Sequence, residues 1–382
     1  MDILIAGAGI GGLTAAIALA QKGHRVKVFE QAPQLGEVGA GITITPNSDR
    51  VFKALGLEDA LAPHIVVPAR QLTQHWQSGE VIKDVERGES TAARYGAGYY
   101  HIHRADLHHV LAEAFLALVP GGIVLNSPAQ SADENGSLTL ADRSEHHADL
   151  IIGADGLKSQ VRESAFVTTA PEFTGQVAWR GLVPTHAVDP EARMDVPGIH
   201  IGPKQLFMRY PVRAGTLTNY AAFVNVGGWA EEGWTIPSSK AELLGYFGDW
   251  DSAVTALIEA TPDDELFKWA LNVRNPLTSW IAGKVTLVGD AAHAMLPFMG
   301  QGAATAIEDG MVLARAVTQY GVQDGLARYD SARRPRTDAI QENARLLGLQ
   351  LQGKNPSSVS AGGVKNEEEL GLFEYDAVTM DI

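Results

Sequence analysis

The residues of this chain best placed to do chemistry are glycines and acids, in two sets near opposite ends of the sequence. The first is Asp2-Ile-Leu-Ile-Ala-Gly-Ala-Gly-Ile-Gly-Gly12, after which the apolar run Val26-Lys-Val-Phe closes on Glu30 and Gln31. The second is Val285-Thr-Leu-Val-Gly-Asp-Ala-Ala-His-Ala294, followed by Pro297, Phe298 and the Gly300-Gln301-Gly302 turn into Ala303. In the first set each glycine has a separate task. Gly7 permits a tight turn, Gly9 lets the backbone approach a pyrophosphate, and Gly12 lets the following helix pack close to a sheet. The helix start offers free N–H groups and a positive dipole end to the phosphates. Glu30 can accept hydrogen bonds from both hydroxyls of an adenosine ribose. A Gly-x-Gly-x-x-Gly alone is a weak signal; framed by a strand, a helix and a strand ending in an acid, it reads as a dinucleotide-binding unit.

The elements that must position these groups follow from periodicity. Residues 3–6 read as a short apolar strand, Leu13 to Gln21 as a helix and Val26 to Glu30 as the next strand. After residue 40 the alternation is lost. Residues 71–83 read as a hairpin around Ser78-Gly79, Arg104 to Val119 as a helix, and Leu150-Ile-Ile-Gly-Ala-Asp-Gly156 as a buried strand running into a turn. Val177–Val183, Gln205–Tyr210 and Thr218–Val226 read as an inserted antiparallel sheet. Val285–Val288 returns to a buried strand and Gly302–Val317 to a helix. Ala327 to Leu349 is helical with Pro335 inside it, so a kink or break is expected there.

Composition excludes several classes. The chain has 382 residues and a net charge of −15, from 45 acids against 30 bases. An acidic surface gives no electrostatic reason to bind nucleic acid or an anionic membrane. There is no cysteine, which removes disulfides, thiolate metal sites and cysteine nucleophiles. The first strand begins at residue 2 and no apolar stretch reaches the ~18 residues of a membrane helix, so a cytoplasmic protein is expected.

Taken in order along the chain, these motifs resemble those of the single-component FAD-dependent aromatic hydroxylases typified by p-hydroxybenzoate hydroxylase. Within that class the resemblance is to the salicylate, 3-hydroxybenzoate and 6-hydroxynicotinate monooxygenases. It rests on Gly7-Ala-Gly-Ile-Gly-Gly12, Gly39-Ala-Gly-Ile-Thr-Ile-Thr-Pro-Asn47, His103-Arg104-Ala-Asp-Leu107 and Gly153-Ala-Asp-Gly156. Trp179-Arg-Gly181, Tyr210-Pro-Val-Arg213, Gly289-Asp-Ala-Ala-His293 and Gly300-Gln-Gly-Ala303 extend it over nearly the whole length. It implies an α/β fold: a Rossmann-like FAD-binding domain with an inserted antiparallel-sheet substrate domain and C-terminal helices. Residues 1–70, 101–170 and 275–350 would form the first, 71–100 and 171–274 the second, and 351–382 a mobile linker and tail.

The resemblance also implies roles. Glu30 holds the adenosine ribose, Arg104 lies near the pyrophosphate and Asp290 bonds the ribityl chain. Asp155-Gly156 is linked to FAD and reduced nicotinamide, although Asp155 can equally cap the helix that follows. Ala40 and Gly41 would lie beside the isoalloxazine, and Pro297 and Phe298 would border the reacting position. The N–H groups starting the helix at Gly302 would face the flavin edge where charge gathers on reduction. In the implied cycle NAD(P)H reduces FAD, O2 adds to give the C4a-hydroperoxyflavin, and one oxygen passes to an electron-rich ring. NADH and NADPH are not distinguished, because Gly7–Gly12 belongs to FAD. A monomer or homodimer is expected.

The chain departs from these relatives at two positions. Where the hydroxynicotinate-type enzymes have a His in the Gly-Ile-x-Ile-x-Pro segment it has Thr43, and where a His precedes the pocket tyrosine by four residues it has Leu206. With period 2, Leu206, Met208 and Tyr210 share one strand face, and Gln205, Phe207 and Arg209 the other. The first register, which we prefer, gives an apolar pocket with Tyr210 retained, either as a substrate contact or as a core aromatic. The second brings a guanidinium inward. His75, Tyr95, Tyr99 and Tyr100 fall in segments that can line the pocket or serve the core. His101 and His103 can share a strand face without a third ligand, so no metal site is read. His293 reads as a structural or flavin-side residue.

The leading expectation is hydroxylation of a small phenolic or N-heteroaromatic acid, with or without decarboxylation. The alternatives are a flavin monooxygenase of a larger or non-acidic ring, such as a quinolone, polyketide or antibiotic, and an FAD-binding sensor without oxygenase chemistry. Substrate-stimulated NADH consumption separates the last from the other two.

Overall fold

The computed structural model describes residues 1–36, 40–188, 196–228, 236–351 and 364–382. Its centre is a six-stranded sheet whose order in space is Ile281–Ala282, Val285–Leu287, Leu150–Gly153, Asp2–Ala6, Arg25–Phe29, Ile123–Val124. All neighbours are parallel except the edge pair formed by Ile281–Ala282 and Val285–Leu287. Parallel strands are buried on both faces, which is why Ile3, Ile5, Ile151, Ile152 and Leu287 are uninterrupted apolar residues with almost no exposure. The helices Ile10–Gln21, Arg104–Leu118 and the one beginning at Gly302 cover this sheet.

A second, eight-stranded sheet lies across it. Its order is Ile236–Pro237, Leu266–Val273, Glu172–Pro184, Leu217–Asn225, Gln205–Val212, Gly198–Gly202, Arg70–His75, Val81–Glu86. One face packs under the helices Lys240–Phe247 and Ser252–Ala260, around Trp179, Phe207, Tyr220 and Phe247. The other face turns toward the six-stranded sheet's domain and carries Leu206, Met208 and Phe223, in contact with Leu296 and Phe298. A small sheet of Gly41–Ile44, Tyr100–His103 and Ile65–Val66 bridges the two.

Three features differ from the sequence-based expectation. The long C-terminal helix, Gly302–Leu351, is broken at Gly321 (φ 76°, ψ −178°) and stays helical through Pro335. The break needs a left-handed residue, which glycine supplies, whereas the proline lies fourteen residues further on in the second helix. Residues 364–382, expected as part of a mobile tail, pack into the core through Leu372, Phe373 and Ala377, each at most 2% exposed. The intervening segment 352–363 lies outside the described residues. The helices Pro46–Ala54, Lys240–Phe247 and Ser252–Ala260 and the three-stranded sheet at 129–147 were not read from the sequence.

Candidate active site

The glycine turn after the first strand is built as its spacing requires. Gly7 has φ +103°, and a side chain on it would strike the Ala154 carbonyl; one on Gly12 would strike the Gly7 carbonyl. A side chain on Gly9 would meet nothing within 4 Å. Gly9 caps the helix Ile10–Gln21 without any side-chain hydrogen bond, and the first turn has no acid. The helix therefore leaves N–H donors facing open space, which fits a pyrophosphate. Glu30 is clamped at the end of its strand, Oε2 accepting from Ala8 N–H at 2.7 Å and Oε1 from Ala32 N–H at 2.9 Å. Gln31 beside it is exposed, as are Arg104 and Asp290 at the starts of their helices. The Arg104 N–H donates to the Ala40 carbonyl at 2.8 Å, joining the two segments.

The second glycine set is tied to the C-terminal helix. Gly289 (φ +60°) donates to Asp309, and Gly300 (φ +62°) faces open space just before the helix that starts at Gly302 and Ala303. Beneath both turns lies a fully buried polar network. Glu308 accepts from Asn47 at 2.6 Å and from Arg336 at 2.9 Å, and Asn47 also donates to Gln301 at 3.2 Å. Asp309 pairs with His293 and Arg333. Burial pushes both acids up, but Arg336 and Arg333 around Glu308, and His293 and Arg333 around Asp309, hold each carboxyl below its usual value. These charges were not found from the sequence. Their signal is only an ordinary Glu-Asp pair on a helix, whose arginine partners lie beyond the Gly321 break and whose other partners, Asn47 and His293, come from distant segments.

Asp155 takes up the capping alternative. It accepts from Ser159 Oγ at 2.5 Å and from the N–H groups of Gln160 and Val161, at the start of the helix Gln160–Ala165; Gly156 follows with φ +76°. Burial raises its pKa against those hydrogen bonds.

Between the sheets, the strand Gln205–Val212 turns Leu206 and Met208 toward Phe298, with Tyr210 further along the same face, and Phe298 lies edge-on to Phe223 with centroids 5.3 Å apart. The guanidinium register is corrected. Arg209 points to the opposite face, donating to Val196 O at 2.7 Å and Gln74 Oε1 at 3.0 Å, and Gln205 accepts there from Trp250 Nε1. The reason is volume: Phe207 between them fills the aromatic core under the two helices, and its neighbours alternate with it. The cation of the inner face is Arg180 instead. It pairs in register with Ala221, which pairs with Met208, and its guanidinium lies 5.5 Å from the Phe267 ring and 5.7 Å from the Trp269 ring. Its place inside Trp179-Arg-Gly181, read with the strand's period, was the available signal.

Tyr210 packs on Gly41, where any Cβ would run into its ring, and stacks on His101 at 4.4 Å. Gly41 N–H donates to Asn219 at 2.7 Å. Thr43 Oγ1 is 3.1 Å from His101 Nδ1. Burial raises the Tyr210 pKa, so its phenol is neutral. Of the four other candidates, Tyr99 borders this corner, with its ring edge-on to His101 at 5.8 Å. Tyr100 bonds Asp49 in the main core, Tyr95 packs on Phe373, and His75 is engaged with Ser78 in its own hairpin turn. Among the described residues no group of three His, Asp or Glu could hold a metal, and no helix is long and apolar enough to cross a membrane.

Comparison with known proteins agrees with this geometry. The FAD binding domain family matches residues 1–344. The chain is 36% identical to 3-amino-4-hydroxybenzoate 2-monooxygenase PtmB3 of Streptomyces platensis, over 91% of this chain and 87% of that protein. It is also 36% identical to 6-hydroxynicotinate 3-monooxygenase of Bordetella bronchiseptica, over 89% of each. Among solved structures, Klebsiella pneumoniae HpxO with FAD and uric acid superimposes with a TM-score of 0.83 at 26% identity, covering 98% of this chain and 93% of that one. The chain belongs to the FAD-binding family, among the FAD-dependent monooxygenases of aromatic compounds.

Proposed function

We propose that this enzyme hydroxylates a small aromatic acid that already carries a ring hydroxyl or an equivalent ring N–H. The observation that carries the reading is the inner face of the eight-stranded sheet. There Leu206, Met208 and Phe223 form an apolar slot opposite Phe298, with Arg180 at its side. A slot of this composition binds a flat ring by burial and an attached carboxylate by charge. Relatives that act on hydroxylated aromatic acids, 3-amino-4-hydroxybenzoate and 6-hydroxynicotinate, support the same class.

In this reading Gly7, Gly9 and Gly12 shape the pyrophosphate turn, and Glu30 and Gln31 hold the adenosine end. Arg104, Asp155, Gly156 and Asp290 line the cofactor's middle, while Ala40, Gly41, Gly300, Gly302 and Ala303 border its ring. When bound, FAD supplies the two-electron redox step with NAD(P)H and the activation of O2. The chain's own work is to orient the ring and keep water away. Pro297 and Phe298 close the slot on one side, and Tyr210 fixes the position of Gly41 on the other. The helix start at Gly302 stabilises negative charge at the flavin edge.

The test is NADH and NADPH oxidation by the FAD-loaded protein against a panel of hydroxybenzoates, aminohydroxybenzoates and hydroxynicotinates, with product and peroxide both measured. Stimulated oxidation with product in excess of peroxide supports the reading. A panel that yields only peroxide, or no stimulation, overturns it and points to larger neutral rings.

A further inference from the structure

The corner where Tyr210 meets the bridging sheet holds a buried imidazole with one ring nitrogen unpartnered among the described residues. Strands Gly41–Ile44 and Tyr100–His103 run antiparallel in a register that sets His101 directly across from Thr43. The His101 ring lies nearly parallel to Tyr210, 4.4 Å between centroids and 22° between planes. Its Nδ1 is engaged with Thr43 Oγ1 at 3.1 Å. The residue is only 2% exposed, yet among the described residues its Nε2 has no hydrogen-bond partner. A buried ring nitrogen left without a partner is costly and rare, and it is expected where a ligand completes the bond. The same Tyr210 ring that stacks on His101 lies against Gly41.

We propose that His101 Nε2 accepts a hydrogen bond from the ring hydroxyl or ring N–H of the aromatic substrate, and so selects rings that bring a donor. The inference rests on the substrate class proposed above and adds the residue that recognises its hydroxyl. Thr43 is the positioning residue. In this assignment its oxygen accepts Nδ1–H, the tautomer that leaves the Nε2 lone pair for the ligand. Burial, then the charge of Arg87, hold the His101 pKa down to about 3, so the ring stays neutral and keeps that lone pair. Tyr210 fixes the ring plane by stacking. An imidazole is thus available to the pocket from position 101, although positions 43 and 206 hold Thr and Leu.

Binding of matched ligand pairs to the FAD-loaded full chain tests this. The pairs are 3-hydroxybenzoate or salicylate against benzoate, and 6-hydroxynicotinate against nicotinate, read by perturbation of the flavin absorbance. The wild type is expected to prefer the hydroxylated member of at least one pair by about tenfold or more. His101→Phe, which keeps an aromatic ring on Tyr210, is expected to abolish that preference, by weakening the hydroxylated member far more than benzoate or nicotinate. Thr43→Val, which keeps the shape of the positioning residue, should shrink the preference without abolishing it, and carries the test if His101→Phe fails to hold FAD. A preference unchanged in the variants, or both members of a pair weakened equally, overturns the role of His101. Wild-type protein that binds both members alike overturns it too. Failure of every aromatic acid to bind the wild type overturns the substrate class itself, and the inference with it.

Discussion

Asp309 accepts the backbone N–H of Gly289 at 3.0 Å from within the C-terminal helix, and the same Oδ2 accepts from His293 Nε2 at 2.5 Å. Its other oxygen takes Arg333 Nε at 2.8 Å. One fully buried carboxylate thus holds the turn before Asp290 onto the helix that begins at Gly302. Asp309→Ala takes away one of the two carboxylates paired with the buried Arg333, Glu308 being the other, and strips the buried network of one negative charge, a change that costs about 3–5 kcal/mol. Asp309→Asn keeps the size and one acceptor, and is expected to cost less. Thermal melts with and without FAD check this: the alanine variant should melt far lower and lose the extra stability that bound FAD gives. An Asp309→Asn variant that melts with the wild type would show that the charge is immaterial.

The glycines of the first turn separate packing from ligand approach. Gly12→Ala drives a methyl into the Gly7 carbonyl, which is backbone and cannot yield. It should lower stability even in FAD-free protein. Gly9→Ala meets only open space, so the FAD-free protein should melt as the wild type does. Its FAD affinity should fall by about tenfold or more, because the methyl occupies the phosphates' approach. Fluorescence titration with FAD beside apo-protein melts distinguishes the two; unimpaired FAD binding by Gly9→Ala would remove the turn from the cofactor site.

Gly41 and Tyr210 form a second steric pair, with a side chain of one partner missing because a ring of the other fills its place. Gly41→Ala must displace the Tyr210 ring and with it the stack on His101, costing about 1–3 kcal/mol as an overpacking change. Tyr210→Phe keeps the ring and cannot relieve the collision, whereas Tyr210→Val can. The expectation is strong non-additivity: Gly41→Ala should cost clearly less stability on the Tyr210→Val background than alone. Additive melting temperatures would sink the argument.

These pairs show which parts of the site were legible in the sequence. Gly7, Gly9, Gly12 and Glu30 are close in sequence and their spacing states a local geometry, so the turn and its clamp were readable. The strand face of Leu206, Met208 and Tyr210 followed from period 2, and the place of Phe207 in the core under the two helices shows why that face is the inner one. His101 and Arg180 were not assigned, because what brings them to the pocket is pairing between distant strands: His101 across from Thr43, and Arg180 in one row with Ala221 and Met208. Register of that kind leaves no local mark. The buried Glu308, Asp309 and Arg333 network had the same fate, since charged residues on a helix ordinarily read as its solvated face. Pro335 drew attention as a helix breaker while Gly321 performed the break.

His101 also fixes a pH dependence of stability. Its folded pKa is lowered to about 3 from the ordinary 6.5, by burial first and Arg87 second. The unfolded chain therefore binds a proton below about 6.5 that the folded chain refuses. The sign is fixed: the contribution is fully present above pH ~6.5, and is lost progressively as pH falls toward about 3. Glu308 and Asp309, both lowered, add further loss at the acid end in the same direction. Replacing His101 by Phe should flatten the decline of the melting temperature between pH 6.5 and about 5, a window above the carboxylates' range. An unchanged slope there would show that the ring is not held neutral.

The C-terminal segment supplies the last prediction. Phe373 is 2% exposed and lies edge-on to Tyr95 at 5.4 Å and against Tyr99 at 6.2 Å. Its carbonyl accepts from Arg50 at 2.6 Å, and Glu367 nearby makes two hydrogen bonds with Arg87 at 2.6 and 3.0 Å. Tyr99 in turn borders His101, so the tail supports the substrate corner from behind. Phe373→Ala opens a cavity in this cluster and should destabilise by about 3–5 kcal/mol. Glu367→Gln leaves the Arg87 guanidinium half-compensated over the Tyr99 ring, a smaller loss of about 1–3 kcal/mol. The Phe373 variant should also weaken aromatic-acid binding, through the loosened Tyr99 wall, at temperatures where it remains folded. Denaturant unfolding at fixed FAD, with ligand titration well below the transition, reads both effects. If Phe373→Ala lowers stability but leaves ligand affinity untouched, the tail is a clasp for the fold and has no hold on the pocket.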